Sequence, residues 1–298
     1  ALLRSRAQLT RAGISERQLR DGVSAGLLRR VHRGSYVADA DWRELWPEGR
    51  HLLRVLAVAA ASQGEGSVFT HESAAAIWGL PLWRRSPSVV HTLIEGRRHT
   101  RTVAGVARHA MHVEPEHLVE VGGLRCTSLL RTVLDLARTV PLTTAVAAAD
   151  AALRAVAVRD HRQDAETVAL WRDELSALAR PGLRGVRQAR HVIEFADGRA
   201  QLPGESVSRV HLHTLGYRDL ALQVPVTGAE GTQYYLDFGF RRSRCFGEFD
   251  GEEKYLDANL RGGRSVEQAV LDEKRREDDI RGVTGWRMVR WVADDIRT

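Results

Sequence analysis

The residues in this sequence best suited to chemistry are carboxylates set within apolar, β-favouring runs. In YYLDFGFRRSRCFGEFDG, from Tyr234 to Gly251, Asp237 lies in the run Tyr234 to Phe240, and Glu248 and Asp250 lie in the run Arg244 to Asp250. Aromatic-rich runs of this kind read as strands, and Arg241, Arg242 and Ser243 between them read as a hairpin turn. Residues two apart share a strand face, so Glu248 and Asp250 project together, and an antiparallel neighbour brings Asp237 alongside. Carboxylates gathered on one patch repel unless a cation lies among them. A hard divalent ion, Mg²⁺ or Mn²⁺, takes oxygen ligands from one or two carboxylates. The same pattern also suits a solvated edge hairpin, because acidic residues are mostly exposed.

Several elements must position these acids. Glu205 opens ESVSRVHLHTLG, which ends at Gly216; Val207, Val210, Leu212 and Leu215 recur at near-helical spacing and Gly216 is a stop. Leu220 to Val226 reads as a strand, Glu267 to Gly282 as a charged helix and Trp286 to Val292 as a returning strand. The expected order is helix, three strands, helix, strand. His211 and His213 are two apart on the first helix, so they diverge and form no HxxxH metal pair.

With that order and those acids, the C-terminal part resembles the PD-(D/E)XK nuclease superfamily, in particular its very-short-patch-repair-like endonuclease branch. EFDG with Lys254 and Tyr255, then KRREDDIRGVTGWRMVRW, is similar to the branch's acidic signature, closing helix and Arg-bearing strand. The resemblance implies that Glu205 is the helix-borne acid, that Asp237 and Glu248 bind the metal, and that Glu205, Asp237, Glu248 and Lys254 form the catalytic set. Superfamily enzymes usually carry Lys two residues after the second acid, and here that position is Asp250. Lys254, from the adjacent turn, is the substitute.

The chain has 298 residues, enough for more than one domain, and its 43% hydrophobic and 28% charged content is that of a folded globular protein. Lys plus Arg exceed Asp plus Glu by 44 to 38, giving +6, and the excess is almost all arginine. Arginine forks onto phosphate, which suits double-stranded DNA as partner, although GC-rich coding gives the same bias. Cys126 and Cys245 are far apart and lack partner motifs, which argues against a disulfide framework and a zinc site and fits a cytoplasmic protein. The longest apolar run, Val55 to Ala61, is too short to span a bilayer. No P-loop, GxGxxG or GxSxG occurs, so ATP-driven and serine-hydrolase chemistry lack support.

The N-terminal stretch reads as a winged helix-turn-helix. Leu2 to Ala12 gives a first helix, Gly13 and Ile14 a turn, and Ser15 with Gln18 a capping box that starts a second helix, Glu16 to Ala25. LLRRVHRGSYV, from Leu27 to Val37, gives the two-stranded wing. Arg17, Gln18 and Arg20 would face the major groove, and Arg29, Arg30 and Arg33 would reach phosphates. This start resembles the AbiEi-type antitoxin family of winged-helix regulators, which pair with nucleotidyltransferase-like toxins. HESAAAIWGLPL (His71 to Leu82) and CTSLLRTVLDLAR (Cys126 to Arg138) look like stretches that recur in such proteins, and their helical apolar spacing reads as packing. Val89 to Glu95 and Val103 to Val113 read as strands, with the basic turn Gly96 to Arg101, Arg84 and Arg85 either touching phosphate or solvated.

The expectation is thus an α+β protein: a winged helix-turn-helix over 1–40, a middle α/β region and helical connector over 41–198, and a PD-(D/E)XK nuclease-like α/β domain over 199–298. Two functions fit. One is a DNA-binding, Mg²⁺-dependent endonuclease, a hydrolase acting on phosphodiesters. The other is a non-catalytic, antitoxin-like repressor whose nuclease-like domain is degenerate, with homodimerisation and a cognate toxin protein among its partners. Retention of Glu205, Asp237 and Glu248 favours the first; Asp250 at the usual lysine position favours the second.

Overall fold

The structure, a computed structural model, describes residues 2–62, 66–94, 101–103, 105–251 and 266–296. Lys254 and most of the basic turn 96–101 fall outside them. The protein is a mixed α/β molecule of two units, 1–148 with 171–193, and 149–170 with 194–298. No described helix is long and apolar enough to cross a membrane.

In the first unit, β1 (Arg4–Ser5) precedes α1 (Arg6–Arg11). This helix starts later than Leu2 because Ser5 and Gln8 form a capping box that fixes its first turn. Ser15 and Gln18 form the expected box for α2 (Glu16–Ser24), and β2 (Leu28–His32) and β3 (Ser35–Ala38) complete a small sheet of order β1-β3-β2. It packs through Val37 on Trp42 of α3 (Asp39–Glu44) and Leu53 of α4 (Pro47–Ala61).

A six-stranded sheet follows, of order β6-β7-β5-β4-β9-β8. It comprises β4 (Val68–Phe69), β5 (Val90–Ile94), β6 (Arg101–Val103), β7 (Val106–Ala110), β8 (Leu118–Val121) and β9 (Leu124–Thr127), with α5 (His71–Trp78) after β4 and α6 (Leu129–Thr139) after β9. Sequence reading expects β5 and the β6–β7 region; β4, β8 and β9 are too short to show a period. Val55, Val58, Phe69, Ala74, Val90 and Cys126 form the core here.

The stretch read as a helical connector contains α7 (Leu142–Ala157), α8 (Ala165–Leu178) and α9 (Val186–Phe195), and also a two-stranded ribbon of β10 (Val158–Arg159) and β11 (Arg162–Gln163). The second unit continues with α10 (Pro203–Thr214), β12 (Leu220–Thr227), β13 (Gln233–Phe240), β14 (Cys245–Asp250), α11 (Val266–Thr284) and β15 (Arg287–Val292). Its sheet runs β12-β13-β14-β15, the first two pairings antiparallel and the last parallel. Val226, Leu236, Phe246 and Ile280 are buried between sheet and α11. On the other side, α10 is anchored by Arg209, which ion-pairs with buried Asp150 at 2.5 Å, and by Ser208, whose hydroxyl accepts from Trp291 Nε1 at 2.7 Å.

Candidate functional site

Glu205 follows directly on the closest approach of α10 to the sheet. A Cβ on Gly204 would stand 2.0 Å from Phe249 Cε1, so only glycine allows the helix this near. Pro203 at the start of the helix and Glu205 at its third position suit a helix N-terminus. The Glu205 carboxylate accepts from the backbone N–H of Gln201 at 2.9 Å and of Leu202 at 3.2 Å, and it is 2% exposed.

Asp237 occupies a fault between strands. The β12–β13 ladder runs through Leu222↔Phe238 and resumes at Val224↔Leu236, skipping Gln223 and Asp237, and Gln223 holds φ +48°. Leu236 faces the α11 core, whereas Phe238 packs on Trp291 with tilted rings whose centroids are 5.1 Å apart. The chain therefore changes face at Asp237. Pairing with β14 ends at Phe238↔Gly247, and beyond it Asp237 Oδ2 accepts the Phe249 N–H at 2.9 Å, where a strand carbonyl would otherwise serve.

Gln223 joins the two acids. Its Nε2 donates to Glu205 Oε2 at 3.2 Å and to Asp237 Oδ1 at 3.3 Å, while its Oε1 accepts from Gln201 Nε2 at 2.8 Å. A non-glycine residue at positive φ inside a strand costs on the order of 1–3 kcal/mol and persists where its surroundings over-determine it. Burial, and then the neighbouring Asp237 charge, push the Glu205 carboxyl up to about 8. Near neutral pH Glu205 therefore keeps its proton.

Glu248 is engaged elsewhere. It accepts from Arg276 of α11 at 2.6 Å and from Arg290 of β15 at 3.1 Å, and Arg290 also reaches Asp250 at 3.6 Å. Glu205, Asp237 and Glu248 do not form a set with ligand oxygens all within 4.8 Å of one another. Glu205, buried, and Asp237, half-buried, are oxygen donors that fit an oxygen-preferring divalent cation such as Mg²⁺ or Mn²⁺. Glu248 has both its oxygens on arginine.

The basic residues of the N-terminal region divide into two groups. Arg20, Arg30 and Arg33 are exposed, and exposed Arg17 stands 3.8 Å from Asp21. The Gln18 side chain accepts from Ser15 N at 2.8 Å as part of the helix cap. Arg29 donates two hydrogen bonds to Asp39 at 2.9 and 2.7 Å and lies over the Trp42 ring. The Arg29 hydrogen bond, with Arg43, lowers the Asp39 pKa. Arg85 is likewise committed, to Glu72 at 2.5 Å.

No family model matches the chain. Two relatives are similar to it over nearly the whole length: uncharacterized proteins of Mycobacterium tuberculosis, one from strain CDC 1551 / Oshkosh and one from strain ATCC 25618 / H37Rv. Each is 28% identical over 284 residues, which is 95% of this chain and 92% of the relative. The similarity spans both units, and neither relative's name carries an activity.

Sequence reasoning missed Gln223. LALQVPVT reads as an uninterrupted strand, and the one hint was a long polar amide at a position whose neighbours are apolar.

Proposed function

We propose that the protein is a DNA-binding phosphodiesterase whose second unit carries a PD-(D/E)XK-like site, with Glu205 and Asp237 as its metal-holding acids. The observation that carries this reading is the pair Glu205–Asp237 bridged by Gln223 at a fault in the sheet, with Glu205 buried and holding its proton far above the usual carboxylate range. A buried acid held beside a second carboxylate is costly unless a cation or a proton relieves it. Bound Mg²⁺ or Mn²⁺ would replace that proton and polarise a phosphodiester. Glu205 and Asp237 then hold full negative charge, Gln223 fixes both carboxylates, and Asp237 keeps its place through the Phe249 N–H. The N-terminal region is read as a winged helix whose exposed Arg17, Arg20, Arg30 and Arg33 contact duplex phosphates.

A second reading is favoured by a different observation: Arg276 and Arg290 neutralise Glu248, which the superfamily pattern assigns to the metal. On that reading the protein is a non-catalytic regulator that binds DNA through the same arginines.

The test is cleavage of supercoiled plasmid and of linear duplex by the purified full-length chain in Mg²⁺, in Mn²⁺ and in chelator. The expected result is cation-dependent nicking that Asp237→Asn removes while DNA binding stays. Binding without cleavage by the wild-type chain in either cation would assign the regulator instead.

A further inference from the structure

Three histidines that neither reading uses converge in the first unit. His71 is the first residue of α5, directly after β4; His91 lies in β5 and His109 in β7. These strands are neighbours in the order β7-β5-β4. In the parallel β5–β7 pair His91 lies opposite Ala107 and Leu93 opposite His109, so the two histidines are diagonal neighbours on one face. His71 and His109 stack with ring centroids 4.3 Å apart, and His91 and His109 with centroids 5.1 Å apart. One ring nitrogen from each histidine lies within 4.8 Å of the other two.

The hydrogen bonds around the cluster assign which nitrogens face inward. Thr70 donates its hydroxyl to Asp135 at 3.3 Å, an acid ion-paired with Arg131 at 3.1 Å, so its lone pair takes the His71 Nδ1 proton at 3.2 Å. That leaves His71 Nε2 with a free lone pair. His91 Nε2 lies 3.4 Å from the Glu72 carboxylate, which Arg85 holds at 2.5 Å. His91 therefore presents Nδ1, and His109 Nε2 stands 2.8 Å from it. Each of two imidazoles is oriented by an outer partner and turns its other nitrogen to a common point, which is the arrangement that metal-bound histidines use. Backbone strain collects here too, since His71 holds φ +52°.

From this geometry we infer that His71, His91 and His109 form a binding site for a first-row transition-metal ion of the Zn²⁺ or Co²⁺ type. Zn–N bonds of about 2.0–2.1 Å put tetrahedral ligand nitrogens about 3.3 Å apart, so His91 Nδ1 and His109 Nε2, at 2.8 Å, must open by about 0.5 Å and the other pairs close by about 1.5 Å at most. No proton need be lost: the one on His109 Nε2 moves to Nδ1, and the lone pairs of His71 Nε2, His91 Nδ1 and His109 Nε2 go to the ion. Burial, with the neighbouring rings, holds His71 down to about 3 and His109 to about 4, so both are unprotonated and ready to ligate well below neutrality. Three imidazoles select a borderline ion and reject Mg²⁺, which prefers oxygen. The position left by three protein ligands is open to water or another ligand.

The test uses the untagged full-length chain, freed of metal with a chelator and titrated with Co²⁺. The expected result is one tight equivalent with the intense visible absorption of tetrahedral Co²⁺ and no thiolate band, displaced by stoichiometric Zn²⁺ and unaffected by a large excess of Mg²⁺. His91→Ala and His109→Asn should each remove the band, while Glu72→Gln should keep it and weaken binding about 10- to 100-fold. Asp237→Asn should leave the titration unchanged, which separates this site from the carboxylate pair. A wild-type spectrum no stronger than that of hydrated Co²⁺ would overturn the assignment without recourse to any variant. So would an intense band that survives in folded His109→Asn.

Discussion

Burial acts on Glu205 and on the imidazoles of His71 and His109 with opposite sign. Glu205 beside Asp237 is lifted to about 8, so it gains a proton; His71 and His109 fall to about 3 and about 4, so they shed theirs. Desolvation disfavours whichever form is charged, so Glu205, His71 and His109 are each uncharged near pH 7. The clusters differ in what they offer an incoming ion. The first offers oxygen and must give up a proton; the second offers imidazole nitrogen and needs only to move one proton between the two nitrogens of His109. Choice of ion is then decided by donor type, not by net charge.

The sharpest way to break this comparison is to exchange the lesions. Asp237→Asn should reduce Mg²⁺-dependent cleavage to background and leave Co²⁺ absorption intact, and His109→Asn should abolish the absorption while leaving the carboxylate pair as it is. Plasmid nicking and visible titration on the same two preparations check both halves. A variant that loses both signals while folded would mean the two clusters are not independent.

Next in size is the pH dependence of stability. Glu205 has its folded pKa raised above the ordinary 4.5, so its contribution is complete below that value and is lost as pH rises towards about 8. The depressed histidines behave in reverse: their contribution is complete above 6.5 and is lost as pH falls towards about 4 and about 3. Glu205→Gln should flatten the alkaline limb, by an amount of order a few kcal/mol at pH 9, and leave the acid limb. Urea unfolding across pH 4 to 9 measures this. A smaller effect comes from ligand linkage: Zn²⁺ at about 100 times its dissociation constant should stabilise the wild type by about 2.7 kcal/mol and His91→Ala by nothing measurable, read as a shift in urea midpoint.

These clusters were unequally legible in the sequence. Glu205, Asp237 and Glu248 stand out because acids interrupt apolar runs whose periods also give α10, β12, β13, β14, α11 and β15. Which acids meet did not follow from those periods, because regular strand alternation pairs Asp237 with Glu248, whereas the fault at Gln223 and the arginines of α11 and β15 separate their roles. The histidines fit no local motif: they meet because a parallel pairing and a strand of two residues, β4, bring distant positions to one level. The cap of α2 was readable from Ser15 and Gln18, since a capping box is local, whereas the equivalent box of Ser5 and Gln8 was passed over. That Arg29 turns to Asp39 was not, since strand periodicity does not specify which acid an arginine meets.

The smallest expected effect concerns that arginine. Replacing Arg30 and Arg33 together by Ala should lower the slope of log affinity against log salt by about 2 and leave stability alone. Arg29→Ala should instead cost about 1 kcal/mol of stability with little change in slope. Fluorescence anisotropy on a duplex over a salt series, with a thermal melt of each variant, distinguishes the two.

The proton on Glu205 is finally a matter of clearance. At Gly204 the helix backbone meets Phe249 so closely that one methyl group would find the ring 2.0 Å away. The depth at which the next residue lies is thus set by a carbon atom that is not there. Gly204→Ala would wedge α10 outward and let water reach the acid, and Glu205 would drift back towards an ordinary carboxylic acid although no charge near it had changed. Acidity at this point is tuned as a machinist sets a fit, by how little material is left between two faces.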